Sequence, residues 1–502
     1  MGGFRSRSES ARANRSSAKK TNPTLAPRRP ARTVDPVREL CLDVLGEVHG
    51  QGAYGNLLLP GALRAASIGG RDAAFATELT YGCLRATGQL DAVIEMAAGR
   101  PIGAIDPPVL DALRLGTYQI LHTRVEPHAA VATTVELVRH RGFSSAAGFA
   151  NGVLRTITRT PAQEWLRRIA PGTSIGDVAL RSAHPRWIAD AINNALLEPG
   201  ADTDTTISPE LAEALAANNR RPAVHLAARP GAISQEELAL VTGGETGAYS
   251  PYAVYLPSGD PGDLDAIRQG LASVQDEGSQ LVALALCRAP LGRVDRGRWL
   301  DLCSGPGGKT AFLAAWGQGA ETSQRVRVDA IEVTRHRADL VDKATRGLPV
   351  RVHTGDGRDL RAISSLDMPA GYDRVLVDAP CTGLGALRRR PEARWRKSPE
   401  DVAELVALQR ELLAAGLAAA APGGVVVYST CSPHLAETQE VAHAVARSEG
   451  AEILDAGAIL PEVPRSAAGP FIQLWPHRHS TDAMFIAALR KPGDSGGPEA
   501  SA

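Results

Sequence analysis

The chain has 502 residues, with 55 Lys or Arg against 55 Asp or Glu and 44% hydrophobic residues. This length exceeds what one hydrophobic core supports, so two to four domains are expected. No apolar run reaches the roughly 18 residues that cross a membrane, and the basic N-terminus lacks the apolar segment of a secretory signal. We therefore expect no transmembrane helix and no secretory signal, and we expect a cytoplasmic protein.

Both ends of the chain predict disordered tails. Residues 1–33 hold nine Lys or Arg and one acidic residue, and they are rich in Ser, Ala and Pro. Such a composition cannot build a core. The last residues, 492–502, are rich in Gly and Ser and predict a second tail.

Residues 34–170 predict an all-α domain. Apolar residues recur every three or four positions, first at Val37, Leu40, Cys41, Val44 and Leu45 and later at Val131, Val135 and Val138. The phrases "ELTYGCLR", "LRLGTYQIL", "PHAAVATTVELVR" and "FANGVLR" resemble the NusB family. The resemblance implies a helical RNA-binding domain; the alternative is a generic bundle whose apolar stripes form only its core.

Two short regions follow. Residues 171–205 predict a helix and a linker, because "HPRW" and several Gly and Pro residues punctuate the segment. Residues 206–285 mix strand patterns such as "PAVHLAARPG" and "YAVYLP" with the helical "PGDLDAIRQGLASV". This mixture predicts a small α+β module of the ferredoxin-like type.

Residues 286–491 alternate between strand and helix patterns. The predicted strands are "RWLDLCS", "VDAIEV", "VRVHTGD", "YDRVLVDAP", "GGVVVYSTC" and "MFIAALRK", and the clearest helix covers 399–419. This alternation predicts a doubly wound, mostly parallel sheet, a Rossmann-like α/β domain.

The segment "WLDLCSGPGGKT" has the look of a nucleotide phosphate loop. Such a loop requires G-x-x-x-x-G-K-[ST], and alignment on Gly308, Lys309 and Thr310 puts Cys303 where the first glycine must stand. The mismatch argues against a nucleotide hydrolase.

A nucleoside cofactor fits the same loop better. Gly305, Gly307 and Gly308 follow the first strand and precede a helix, so the backbone can approach a ligand closely. Glu332, 24 residues after Gly308, ends the second strand where an acid can hold ribose hydroxyls. Asp356 ends the third strand, where a carboxylate can meet an adenine amino group.

Two cysteines mark the ends of the next two strands. Asp378 and Cys381 follow the fourth strand, and Cys431 follows the fifth. Ligands of open α/β sheets bind outside the carboxyl ends of strands, so both thiols are expected at the cofactor rim. The six cysteines show no C-x-x-C pair and no zinc spacing with His, which argues against a disulfide scaffold or a metal site.

A thiol beside a methyl donor suits methylation of carbon 5 of cytosine. A thiolate that adds to carbon 6 makes carbon 5 nucleophilic, which is covalent catalysis. Asp378 is the natural acid to stabilise the protonated ring.

The phrases "LDLCSGPGGKT", "DAPCTGLGALRRRPEARW", "YSTCSPHLAET" and "WPHRHSTDAMF" resemble the RsmB-type (Sun/Fmu) RNA cytosine-C5 methyltransferases. "QDEGSQLVALAL" resembles the segment that precedes their catalytic domain.

The resemblance implies S-adenosylmethionine as cofactor and a role for each matching residue. It implies Cys431 as the nucleophile and Cys381 as the thiol that assists product release; strand position alone leaves open which cysteine attacks. The residues implied to bind or border the cofactor are Cys303, Ser304, Gly305, Pro306, Gly307, Gly308, Lys309, Glu332, Asp356 and Asp378. The sequence departs from the family pattern at Thr382, Thr438 and Ala483, which leaves local loop geometry open.

A cluster of arginines around a tryptophan predicts an RNA contact. It comprises Arg388, Arg389, Arg390, Arg394, Trp395 and Arg396. These side chains can bind phosphates or stack on a base, and the basic tail can extend that contact; the alternative is a solvated charged loop.

The implied substrate is small-subunit (16S) rRNA, with tRNA or another RNA as an alternative, and the expected state is a monomer without metal. The alternative function is that of a non-catalytic NusB-like RNA-binding factor. The presence of Cys381 and Cys431 argues against this alternative.

Overall fold

The computed structural model describes residues 34–198, 200–319, 325–366 and 371–493. The predicted tail over 1–33 and all but two residues of the predicted tail over 492–502 lie outside these ranges. Within them, every helix is too short or too polar to cross a bilayer.

The N-terminal region is helical, as predicted. Its helices are α1 (Pro36–Gln51), α2 (Gly55–Ala65), α3 (Gly70–Ala98), α4 (Pro107–His122), α5 (Pro127–His140), α6 (Ala147–Thr158) and α7 (Ala162–Ile169). Helix α1 begins where the Asp35 carboxylate accepts hydrogen bonds from the backbone N–H groups of Val37 and Arg38 at 3.0 and 3.1 Å. It ends at Gly52, whose φ of 69° suits a left-handed helix cap. The apolar stripe that predicted this helix is buried in the domain core.

A second helical group links this domain to the rest of the chain. It comprises α8 (Ile175–Arg181), α9 (Arg186–Leu196) and α10 (Leu211–Ala217). The segment predicted as one helix and a linker thus contains α8 and α9. Their apolar faces pack with Leu384, Leu387 and Trp475 of the C-terminal domain. The segment is therefore a packed layer as well as a connection.

The small module has the predicted ferredoxin-like topology. Its elements are β1 (Val224–Ala228), α11 (Gln235–Thr242), β2 (Glu245–Thr246), β3 (Ala253–Leu256), α12 (Asp265–Arg268) and β4 (Ala272–Val274). The sheet order is β2-β3-β1-β4, and its described pairs are antiparallel.

The next helix, α13 (Glu277–Arg288), packs against the large sheet rather than in the small module. Its residues from Leu281 to Cys287 are buried with Trp299 and Leu313. The predicted boundary between residues 285 and 286 therefore cuts a helix of the C-terminal core. The strand patterns of the small module end before this helix. The apolar pattern of the helix does not show on which of the two sheets it packs.

The C-terminal domain is built on a mostly parallel sheet. Its elements are β5 (Arg298–Asp301), α14 (Gly308–Trp316), β6 (Arg327–Glu332), α15 (Arg335–Ala344), β7 (Val350–Thr354), β8 (Tyr372–Asp378), α16 (Ala393–Arg396), α17 (Pro399–Ala419), β9 (Ala420–Thr430), α18 (Gln439–Glu449), β10 (Glu452–Leu454), α19 (Ala456–Ile459), β11 (Ala467–Ala468), β12 (Phe471–Gln473), α20 (Pro476–His479) and β13 (Phe485–Arg490).

The described strands run in the order β11-β12-β13-β9-β8-β5-β6-β7, with β10 paired to β13. The pairs β9–β8, β8–β5, β5–β6 and β6–β7 are parallel, and β13 is antiparallel to β9. The chain moves outward from β5 through β6 to β7 and then returns to the other side of β5 with β8. Strands β5 and β8 therefore flank a topological switch point, where α/β sheets bind ligands.

Helix α16 fastens the C-terminal domain to the helical layers through Arg394, Trp395 and Arg396, a group we call the clasp. The buried guanidinium of Arg394 donates hydrogen bonds to Ala183 O and Asn219 Oδ1, both at 2.8 Å. The indole N–H of Trp395 donates to Arg85 O at 3.0 Å, in a different domain.

Arg396 completes the clasp by donating to Val48 O at 2.7 Å and Gly52 O at 2.9 Å. Most of the polar donors of the clasp thus bind protein carbonyls. Because burial and hydrogen bonding hold these side chains between domains, the structure gives them a docking role that the sequence pattern did not suggest.

Gly88 on α3 lets the clasp close. A Cβ atom at this position would lie 2.3 and 2.5 Å from two ring carbons of Trp395. We expect Gly88→Ala to destabilise the protein by about 1–3 kcal/mol relative to Gly46→Ala, because overpacking costs that much and both changes gain the same helix propensity. Gly46 lies inside α1, and a Cβ atom there would have nothing within 4 Å, which makes it the matched control. Thermal unfolding midpoints that are equal for the two variants would contradict this close packing.

Candidate active site

The thiols of Cys381 and Cys431 meet beyond the carboxyl ends of β8 and β9. Their sulfur atoms are 3.4 Å apart, and both residues are partly exposed. The two strands are parallel neighbours, with Asp378 opposite Ser429, so the segments that follow them emerge side by side. The predicted position of both thiols at one rim becomes a direct contact in the structure.

The two thiols differ in acidity. The hydrogen bond between the two sulfur atoms lowers the pKa of Cys431; burial and then the carboxylates of Asp378 and Asp482 oppose the shift, and the Lys309 ammonium supports it. The same hydrogen bond, followed by burial, raises the pKa of Cys381 well above its ordinary value. Since the thiolate is the nucleophilic form, this difference favours Cys431 for attack and leaves the proton on Cys381.

Lys309 and Asp378 form an ion pair beside the thiols. The Lys309 Nζ lies 2.7 Å from Asp378 Oδ2 and 3.5 Å from Ser279 Oγ. Lys309 comes from the first turn of α14 and Asp378 from the end of β8, so the pair joins the glycine loop to the cysteine strands. Lys309, the lysine that resembles part of a phosphate loop, is therefore paired with the Asp378 carboxylate.

A buried carboxyl group that the sequence analysis missed ties the two cysteine segments together. Glu437 Oε1 accepts a hydrogen bond from Thr382 N at 2.7 Å, and Oε2 accepts one from Ser432 Oγ at 2.6 Å. The hydroxyl of Thr382 also bonds to Oε2, and Gln409 Nε2 donates to Oε1 at 3.1 Å. Thr382 and Ser432 directly follow the two cysteines. The one sequence signal for Glu437 is its place six residues after Cys431.

A glycine permits the closest backbone approach in the site. Gly385 N donates to Cys431 O at 2.8 Å, and Gly385 O accepts from Ala483 N at 3.0 Å. A Cβ atom on Gly385 would lie 2.2 Å from Ala483 O, which no side chain tolerates. The departures from the family pattern are accommodated: Thr382 binds Glu437, and Thr438 donates its hydroxyl to His434 O at 2.9 Å.

The glycine loop between β5 and α14 is shaped by close contacts with neighbouring elements. Gly307 has a φ of 108°, and a Cβ there would lie 2.9 Å from Val341 Cα. A Cβ on Gly305 would lie 2.2 Å from Glu332 Oε2. The positive φ and the backbone contact favour glycine at position 307, whereas a side chain at 305 would displace Glu332 and Arg337. The loop thus lies against the acid at the end of β6.

The acids at the ends of β6 and β7 sit in different surroundings. Glu332 is buried and accepts hydrogen bonds from Thr334 N and Oγ1, both at 3.1 Å, with Arg337 Nη2 at 3.5 Å. Asp356 is half-exposed and pairs with Arg358 at 2.6 Å, which lowers the pKa of its carboxyl group. Both side chains stand on the same edge of the sheet as Asp378.

These residues fit a nucleoside cofactor. The loop backbone provides a cradle, and carboxylates lie on three successive strand ends. Two buried acceptors near the loop, Gln275 Oε1 and Asp301 Oδ1, have no hydrogen-bond partner in the described part of the protein. Burial raises the pKa of Asp301 to about 7, although Thr310 donates a hydrogen bond to its other oxygen at 2.7 Å. Such unused polar groups are typical of a ligand site.

The predicted RNA residues divide into two groups. Arg394, Trp395 and Arg396 form the clasp described above. Arg388 lies 3.6 Å from Asp482 Oδ1 and donates to Ser480 O at 3.1 Å, whereas Arg389 pairs with Asp482 and remains 48% exposed. Arg390 is exposed, and its guanidinium carbon lies 5.8 Å from the ring of Tyr54. RNA contact by these residues stays a prediction, and Arg389 and Arg390 are the ones with exposed side chains.

Asp482 is a second residue that the sequence analysis did not single out. It is buried between the cationic segment after Cys381 and Asp276, and burial followed by the charge of Asp276 raises the pKa of its carboxyl group. Across the described ranges, no group of three or more His, Cys, Asp or Glu side chains is arranged to hold a metal ion.

The open sheet, the glycine loop at its switch point and the acids on adjoining strands define an S-adenosylmethionine-dependent methyltransferase. The family model described as 16S rRNA methyltransferase RsmB/F matches residues 289–490, and the NusB family model matches residues 35–159. The chain is 31% identical to ribosomal RNA small subunit methyltransferase B of Pectobacterium atrosepticum over 91% of this chain and 98% of that protein. It belongs to this RsmB/F methyltransferase family, whose cofactor is S-adenosylmethionine.

Two further comparisons agree. The Mycobacterium tuberculosis protein named "Putative methyltransferase Rv1407" is 55% identical over 93% of this chain and 98% of its own length. The crystal structure of PH0851 superimposes with a TM-score of 0.72 at 20% identity, covering 91% of this chain and 99% of that one. At this identity the superposition supports the fold alone.

The contact between the two thiols predicts the pH dependence of Cys431. Its alkylation rate by iodoacetamide should rise with pH through a pKa below the ordinary thiol value, because only the thiolate reacts. Cys381→Ala removes the S–H donor, so the profile should move to higher pH. Cys41→Ala, which removes a thiol buried in the core of the helical domain, should leave it unchanged. Peptide mass spectrometry measures the rate, and a profile unaffected by Cys381→Ala would contradict the assignment.

The hydrogen bonds of Glu437 predict a graded effect of substitution. Glu437→Gln keeps an oxygen for Thr382 N and Gln409 Nε2 and offers an amide to the two hydroxyl groups. Glu437→Ala leaves the buried Thr382 N–H without an acceptor, at about 1–3 kcal/mol, and leaves Gln409 Nε2 with Pro380 O as its remaining acceptor. We expect the alanine variant to unfold several degrees below the glutamine variant and to lose the rapid alkylation of Cys431. Equal stability and reactivity in the two variants would show that Glu437 does not position the cysteines.

Proposed function

We propose that this protein methylates carbon 5 of a cytosine in small-subunit (16S) rRNA through a covalent bond between Cys431 and the base. The observation that carries the proposal is the 3.4 Å contact between the thiols of Cys381 and Cys431 at the carboxyl ends of β8 and β9, and the lowered pKa of Cys431 supports it. A nucleophilic thiolate beside a proton-bearing thiol suits a reaction that forms and then breaks a sulfur–carbon bond.

The first step belongs to Cys431. Its thiolate adds to carbon 6 of the cytosine, and the electrons of the 5,6 double bond make carbon 5 nucleophilic. The target base must leave its stack for the sulfur to reach carbon 6, so an unpaired or extruded cytosine is required. Asp378 uses Oδ2 to bind Lys309, which leaves Oδ1 for the protonated ring or the cofactor.

The cofactor, when bound by the glycine loop with Glu332 and Asp356, supplies the methyl group that carbon 5 takes. Water then takes the proton on carbon 5, and the electrons of that C–H bond re-form the ring double bond. The bond between carbon 6 and sulfur breaks with its electron pair returning to Cys431. Cys381 carries a proton 3.4 Å away and stabilises the departing thiolate by hydrogen bonding.

The choice of rRNA rests on the relatives, and the docked helical domain extends the surface available to an RNA. Proteins of similar sequence over nearly their whole length are named ribosomal RNA small subunit methyltransferase B. The NusB-like helical domain is fastened to the catalytic domain by the clasp, so both can face one extended RNA. Arg389 and Arg390, the exposed arginines shortly after Cys381, are proposed to bind RNA phosphates.

Substitution of the two cysteines should block different steps of the reaction. Cys431→Ala should abolish methyl transfer to 16S rRNA and form no adduct, because the attacking sulfur is gone. Cys381→Ala should accumulate a protein–RNA adduct that survives denaturing electrophoresis, because release is slowed. The double variant should form no adduct, which makes it the matched control.

Adduct formation by Cys431→Ala would overturn the assignment of the nucleophile. Methylation mapped to a tRNA or another RNA instead of 16S rRNA would retain the chemistry and change the substrate. A wild-type protein that binds RNA without transferring a methyl group would identify a non-catalytic RNA-binding factor.

A further inference from the structure

A cavity of about 300 Å³ lies where the helical domain, the small module and the catalytic domain meet. We call it the three-domain cavity. Its wall includes Tyr81 and Arg85 from α3, Arg221 from the connection before β1, and Asp276, Arg388 and Arg389 near the active site. Neither the cofactor nor the chemistry at the cysteines accounts for a cavity at this place.

The cavity adjoins the catalytic cysteines through a short run of hydrogen bonds. Asp276 Oδ1, on the cavity wall, accepts from Asp482 N at 3.0 Å. The next residue, Ala483, donates to Gly385 O, and Gly385 N donates to Cys431 O at 2.8 Å. A strand of RNA whose target base lies at Cys431 therefore has this cavity within reach of its neighbouring nucleotides.

Some charged side chains of the cavity wall have an ion-pair or hydrogen-bond partner, and others have none. Arg388 and Arg389 share Asp482, and Asp276 lies between Arg388 and His225. Glu78 accepts the hydroxyl of Tyr118 at 2.6 Å. Arg85 and Arg221 have no carboxylate partner among the residues that the structure describes, and the Nε atom of Arg85 is buried without a hydrogen bond.

Arg85 is partly buried and Arg221 is exposed, so both guanidinium groups present positive charge to the cavity without an ion-pair partner in the described part of the chain. Arginine presents planar N–H donors that match phosphate oxygens, and a buried donor left without a partner is costly. Tyr81 offers an aromatic ring on the same wall, one that suits stacking on any base. Among the described residues, no other aromatic ring stacks on Tyr81, so no aromatic side chain would compete with a base for the face of this ring.

We propose that the three-domain cavity binds a nucleotide of the RNA that neighbours the target cytosine. Arg85 and Arg221 bind its phosphates, and Tyr81 stacks on its base. This inference rests on the proposed function, because it takes the strand that presents the cytosine as the ligand. It assigns the helical domain a direct part in holding the substrate, through residues of α3 rather than through the clasp.

The test compares two double variants of the full-length protein with equal charge loss. Arg85→Gln with Arg221→Gln removes both cavity cations. Arg71→Gln with Arg220→Gln is the matched control, since Arg71 lies on the same helix, Arg220 precedes Arg221, and neither lines the cavity. The probe is 16S rRNA transcribed in vitro, and its affinity is measured between 50 and 200 mM salt, a range over which phosphate contacts weaken strongly.

We expect the cavity variant to bind the transcript about tenfold more weakly than the control. The slope of log binding constant against log salt concentration should become less steep by about 1.4, the value for two single-strand phosphate contacts. KM for the transcript should rise while kcat stays within about twofold, because the cavity binds substrate and takes no part in the chemical step. Tyr81→Phe should bind as the wild type, and Tyr81→Ala should bind more weakly. Unchanged thermal unfolding and S-adenosylmethionine binding show that the variants are folded.

Equal affinity and salt slope in the cavity variant and the control would overturn the cavity assignment while leaving the methyltransferase reaction intact. A wild-type protein that binds the transcript and transfers no methyl group overturns the proposed function, and the affinity comparison then still decides the cavity. A wild-type protein with no affinity for the transcript overturns both.

Discussion

The contact between Cys381 and Cys431 is the constraint around which the catalytic domain is arranged. Two thiols 3.4 Å apart acquire different acidities because one donates its proton toward the other. The contact requires β8 and β9 to be parallel neighbours, and it requires the segments after them to be held in place. Glu437 supplies that restraint by binding the residues that follow both cysteines.

The same constraint reaches the other domains. The segment after Cys381 pairs with Asp482 and then enters the clasp, whose last residue is 15 positions from Cys381. Trp395 of the clasp binds a carbonyl on α3 that is 310 residues away in the chain. Docking of the helical domain and placement of the Cys381 segment are therefore physically linked. A substitution that weakens the clasp should therefore alter the position of Cys381 relative to Cys431.

Much of the fold follows from patterns that each segment carries alone. The alternation of strands and helices predicts the large sheet, and the apolar stripe of α1 predicts a buried helix face. The glycine loop and its partner Glu332 could be predicted because their spacing reflects one strand–loop–helix unit. Cys381 and Cys431 could be placed at one edge because parallel strands share it.

The remaining features depend on contacts between distant segments, which periodicity does not encode. Arg394 and Trp395 look like an exposed basic-aromatic cluster in the sequence, yet their donors bind carbonyls of other domains. Glu437 and Asp482 have no motif of their own and gain their roles by burial beside the cysteine segments. The boundary predicted between residues 285 and 286 cuts helix α13, because the apolar face of this helix does not reveal which sheet it covers.

The central claim is that Cys431 forms the bond to the substrate base. The most direct measurement is tandem mass spectrometry of the adduct formed with 16S rRNA that contains 5-fluorocytidine, whose fluorine replaces the proton that must leave carbon 5. The account predicts a methylated nucleotide attached to the peptide that contains Cys431. A nucleotide attached to Cys381, or no covalent adduct at all, would contradict it.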